Sequence, residues 1–107
     1  MDTFINVRYY EDEKHINVDL SEDSNGFLFE IIAKELATAY KIQWKTRLDG
    51  LDQRYWDFEI NGITLTLHLE HYLGICIFAD KTKTKYETAQ AILSDIEKHF
   101  KAWKPTN

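Results

Sequence analysis

The stretch "YWDFEINGITLTLH", residues 55–68, decides the fold. Two alternating runs flank Asn61-Gly62. A two-residue type I′ turn needs positive φ at both central positions, and Asn followed by Gly tolerates this best. The turn sets the register: Ile60 faces Ile63, Phe58 faces Leu65 and Trp56 faces Leu67. Side chains alternate along a strand, so all six fall on one face, the expected core face. Tyr55, Asp57 and Glu59 then share the second face with Thr64, Thr66 and His68.

The same parity carries towards the C-terminus. After the short loop "EHYLG" (70–74), Leu69 pairs with Ile75 and Leu67 with Ile77, which keeps every apolar residue on the core face. Cys76, Phe78 and Asp80 join the second face. Thr84 and Glu87 fit an S/T-x-x-E capping box ahead of a helix over about 85–103. Its buried stripe is Ala89, Leu93, Ile96, Phe100 and Trp103, and Glu97 and Lys101 form an i,i+4 pair on the wet side.

Towards the N-terminus, "LDGLDQ" (48–53) reads as a turn around Gly50. "KIQWKTR" (41–47) reads as a strand with Ile42 and Trp44 inward and Gln43, Lys45 and Arg47 outward. Beside strand 55–60, it would set Lys45 across from Asp57. Ser24 or Asn25 caps a helix over 26–40, whose stripe is Leu28, Ile32, Leu36 and Ala39, with Phe29, Ala33 and Tyr40 beside it. "HINVDL" (15–20) alternates, "TFINVRYY" (3–10) is β-prone, and "EDEK" (11–14) permits a hairpin between them. The order is ββ-α-ββββ-α. This predicts one α+β domain over residues 1–107, a two-layer sandwich of an antiparallel meander with both helices on one face.

Composition narrows the function classes. The 107 residues carry 13 basic and 18 acidic side chains, net −5, which leaves no basic footprint for nucleic acid. A steered partner would be basic. No apolar run reaches the roughly 20 residues that span a bilayer, and "MDTFINVRYY" lacks the basic and apolar regions of a signal peptide. One cysteine, Cys76, excludes an intramolecular disulfide and any CxxC site. These features make the cytoplasm the expected location, with no membrane partner.

His68, Glu70 and His71 are the conspicuous polar cluster. Alternation puts His68 and Glu70 on one face, about 6.5 Å apart at the usual strand rise. His71 falls on the other face or in the turn. Zinc needs three or four converging ligands, and the spacing lacks the helical i,i+4 geometry of HExxH. The expectation is a solvated strand face with no metal, no cofactor and no catalytic residue. Cys76 beside His68 lacks a helix N-terminus or oxyanion donor, so it reads as a half-buried structural thiol. No nucleophile elbow, dinucleotide fingerprint or P-loop occurs.

Two functions fit. The first is a non-catalytic interaction module that binds another protein through Tyr55, Asp57, Glu59, His68 and Phe78, where aromatics and charges mix. Toxin-neutralising immunity proteins and secretion chaperones are its analogues at the level of class. The alternative is a small enzyme or ligand-binding domain using His68, Glu70, Asp57 and Glu59, which would require a deep pocket at those residues. A homodimer that buries the second face or pairs an edge strand is a third reading.

Overall fold

The structure, a computed structural model, describes residues 5–105. Thr3 and Phe4 of the expected first strand, and Thr106 and Asn107 of the tail, lie outside the described residues. The described residues form a small α+β fold with a six-stranded antiparallel sheet and two helices. Its elements are β1 (Arg8–Glu11), β2 (His15–Ser21), α1 (Gly26–Tyr40), β3 (Thr46–Asp49), β4 (Gln53–Ile60), β5 (Ile63–Glu70), β6 (Gly74–Asp80) and α2 (Tyr86–Ala102).

The β4–β5 hairpin forms as its alternation requires. Asn61 and Gly62 have φ of 51° and 80°, and Ile60↔Ile63, Phe58↔Leu65 and Trp56↔Leu67 are partners. Five of these six side chains are buried, and Ile60 is half-buried against the core. β6 continues the parity through Leu67↔Ile77 and Leu69↔Ile75.

The strand order is β1-β2-β6-β5-β4-β3: β3 to β6 form the expected meander, and the β1–β2 hairpin joins it at β6 rather than at β3. β2 pairs with β6 through Ile16↔Ala79 and Val18↔Ile77. α1 and residues 41–45 therefore carry the chain from β2 to the opposite edge. The helix has 15 residues, about 22 Å at 1.5 Å per residue, and the four strand spacings to be crossed total about 19 Å. A short turn would have paired β2 with β3. The intervening helix leaves the inner edge of β2 for β6.

Ile16, Val18 and Leu20 of β2 share one continuous buried cluster with Phe58, Leu65, Leu67, Ile75 and Ile77 of the sheet. Leu28, Phe29, Ile32 and Leu36 of α1 and Leu93, Ile96 and Phe100 of α2 belong to the same cluster. Phe29 meets Trp56 edge to face at 5.0 Å, a favoured aromatic geometry.

Five local expectations change. The strand expected at 41–47 lies at 46–49. Ile42 and Trp44 still pack inward, Trp44 against Trp56 and Phe58 at 5.3 Å each. The ladder then starts one step out of phase with them: Arg47 pairs with Trp56 and lies over its ring at 4.4 Å, on the core side rather than the second face. Lys45 donates its backbone N–H to the Asp57 carbonyl at 2.8 Å, but its ammonium pairs with Glu59 at 3.1 Å instead of Asp57. Ala39 is exposed, because Tyr40 occupies the core position at the end of α1, where Lys41 turns the chain away in a left-handed conformation. Thr84 forms no capping box: the helix begins one residue later, and the Thr84 hydroxyl donates back to the Asp80 carbonyl at 3.0 Å. Asn25 does cap α1, accepting from the Phe27 and Leu28 N–H groups.

Candidate functional site

The second face of the sheet holds every residue in the expected interaction set. Ladder pairing lines up two rows across all six strands. One runs Arg8, Asp19, Cys76, His68, Tyr55, Leu48. The other runs Tyr10, Asn17, Phe78, Thr66, Asp57, Thr46. Directly opposed side chains sit near 5 Å apart, close enough to pack.

His68 lies at the centre of the first row. Its ring stacks on Tyr55 with centroids 4.3 Å apart and planes 12° from parallel. Phe78 meets it edge-on at 6.0 Å, and His15 meets Phe78 at 5.0 Å. The result is a half-buried aromatic strip crossing four strands. Burial holds the His68 imidazole below its ordinary titration range, an effect that the nearby Glu70 carboxylate opposes. Its Nε2 is buried with no hydrogen-bond partner among the described residues. The neutral ring is therefore the favoured state in the fold.

Cys76 lies beside His68, with Sγ 3.9 Å from Nδ1. Burial, with the Asp19 and Glu70 carboxylates adding to it, pushes the thiol up to about 12. A thiol so shifted stays protonated near neutral pH, so the pair lacks the thiolate that nucleophilic chemistry needs. Three carboxylates of the face are engaged elsewhere. Asp57 accepts from the Thr66 hydroxyl at 2.7 Å, Glu59 pairs with Lys45, and Asp19 pairs with Arg8 at 3.1 Å. Arg8 also lies over the Tyr10 ring at 4.7 Å.

The structure separates the conspicuous sequence cluster. His68 and Glu70 share the second face, whereas His71 lies in the β5–β6 turn and donates its backbone N–H to the Asp52 carbonyl at 2.9 Å. Among the described residues, no three of His, Cys, Asp and Glu gather where they could hold a metal ion. A hollow of about 500 Å³ reaches Tyr55, but the 48–53 segment lines the rest of it, away from His68 and Glu70.

The pairing of β2 with β6 adds Tyr10, Asn17 and Asp19 to the face, and sequence reasoning did not assign them to it. The alternation of "HINVDL" groups His15, Asn17 and Asp19 but carries no sign of which strand lies next to them. No helix among the described residues is long and apolar enough to cross a membrane.

No curated protein and no solved structure matches the chain. Its sequence does match, over residues 4–97, the family described as Protein of unknown function (DUF3630), and the chain belongs to that family.

Proposed function

We propose that the protein is a single-domain, non-catalytic interaction module, a two-layer sandwich whose helices cover one sheet face and whose other face binds a partner protein. What carries this reading is the strip Tyr55–His68–Phe78, three half-buried rings held in contact on the face opposite the core. Rigid aromatic rings offer large contact area at little cost in side-chain entropy, and interfaces are enriched in them. Asp57 and Glu59 flank the strip, and the whole chain has a net charge of −5, which suits a partner with basic side chains. An enzymatic role for His68, Glu70, Asp57 and Glu59 draws less support, because Glu59 is paired with Lys45, Asp57 is bonded to the Thr66 hydroxyl, and the hollow at Tyr55 does not reach His68 or Glu70. The expected location is the cytoplasm.

The test is site-specific photo-crosslinking in the native cell, with a photoreactive phenylalanine at Phe78 or Tyr55 and a control at the exposed Lys34 of α1. The reading expects one discrete heterologous adduct from the sheet positions and none from Lys34. Adducts only with a second copy of the chain, or equal yields from all three positions, would contradict it.

A further inference from the structure

The end of the sheet formed by three loops presents a second surface, distinct from the aromatic strip. Seven large hydrophobic side chains are exposed among the described residues: Tyr10, Phe27, Leu48, Leu51, Tyr72, Leu73 and Tyr86. Four of them, Phe27, Leu51, Tyr72 and Leu73, lie at this end, and Leu48, beside Tyr55 on the second face, adjoins it. Leu51 and Tyr72 are the most exposed, at 104% and 84%. Single exposed apolar residues need no explanation, but a concentration of them at one end marks a contact surface.

The loops are held together. The His71 N–H binds the Asp52 carbonyl, joining the β5–β6 and β3–β4 turns. Gly74 packs so closely on the end of β2 that an added Cβ would sit 2.0 Å from the Ser21 carbonyl oxygen. One hollow of about 190 Å³ is lined by Ser24, Leu51 and His71, one from each loop. A loop tip on a rigid sheet is a common place for recognition residues.

Charge indicates the occupant. The segments 21–25, 50–52 and 71–73 contain Glu22, Asp23 and Asp52 but no lysine or arginine. All three carboxylates are exposed and form no ion pair among the described residues. Two arginines border these loops, and both are paired: Arg54, which also lines the hollow at Leu51 and His71, with Asp49 at 2.8 Å, and Arg8, which lines a hollow with Glu22 and Leu73, with Asp19 at 3.1 Å. An anionic lipid surface or a nucleic acid would be repelled here. A symmetric contact between two copies would set each acidic rim against itself. The geometry points to a basic segment of another protein, which would seat a bulky apolar side chain among Leu51, Tyr72 and Phe27 while its lysines or arginines meet Glu22, Asp23 and Asp52. This stands independently of the sheet-face reading.

The test is NMR titration of the isotope-labelled full chain with a synthetic peptide of alternating leucine and lysine. Controls are the same peptide with glutamate for lysine, and phosphatidylglycerol vesicles. The expected result is saturable binding of the lysine peptide, with shifts confined to residues 21–27, 50–53 and 71–74. Affinity should fall at least tenfold in L51S/Y72S and at least threefold in D52K. Both variants alter exposed loop positions, and their melting curves establish that they fold. Equal binding of the glutamate peptide, binding to the vesicles, shifts centred on Tyr55 and Phe78, or affinity unchanged in L51S/Y72S would each overturn the proposal.

Discussion

Two glycines with positive φ illustrate how differently one residue type can be constrained. Gly62 has φ +80° and open space where a Cβ would go. Gly74 has φ +99°, and its Cβ would meet the Ser21 carbonyl at 2.0 Å and the Glu22 backbone at 2.8 Å. Gly62→Ala should cost about 1 kcal/mol, from backbone strain alone. Gly74→Ala should cost more than about 3 kcal/mol, because strain and a backbone collision add. Denaturant melts of the two variants distinguish them, and equal losses would contradict the close approach. His68 sets a pH dependence at the same scale. Burial lowers its pKa from the ordinary 6.5, so below that pH the unfolded chain binds more protons than the fold. Stability from this residue is fully present above about 6.5 and is lost as pH falls towards the folded value. Asp49, held low chiefly by its hydrogen bond from Arg54, acts in a separate window below 3.8. Melts at pH 7.5 and 5.5 should show the wild type losing more stability than His68→Gln, and parallel losses would place His68 in a solvated site.

At the scale of elements, α2 docks through Leu93, Ile96 and Phe100, all fully buried. Phe100→Ala should cost about 3–5 kcal/mol, the usual range for a truncated core aromatic. Asn25→Ala should cost about 1 kcal/mol through loss of the α1 cap. Both are read from urea midpoints at constant slope, and a loss under about 1 kcal/mol for Phe100→Ala would move that ring out of the core. These elements were legible because their signals are local. Asn61-Gly62 specifies its own turn, and the i,i+3,i+4 spacing of α2 specifies its own face. β3 was legible only in part. Trp44 is apolar and inward-facing, as in a strand, yet it packs from a coil segment, and the alternation slips before Arg47. The β2–β6 pairing was not legible, since it depends on where α1 delivers the chain rather than on any local pattern. For that reason the sequence revealed the Tyr55–His68–Phe78 half of the second face, and the structure added Tyr10, Asn17 and Asp19.

For the whole molecule, the two faces of the sheet differ in composition. One face contributes to a continuous apolar core, and the other carries half-buried rings among paired charges. If the second face binds a partner as proposed, its residues and those of the core should respond differently to substitution. The most direct measurement compares wild type with a Tyr55→Ser/Phe78→Ser double variant, reading both the melting curve and quantitative capture of the partner identified by crosslinking at the sheet face. The account predicts that the double variant keeps a cooperative melt while partner recovery falls at least tenfold. Recovery at the wild-type level from the folded double variant would contradict it.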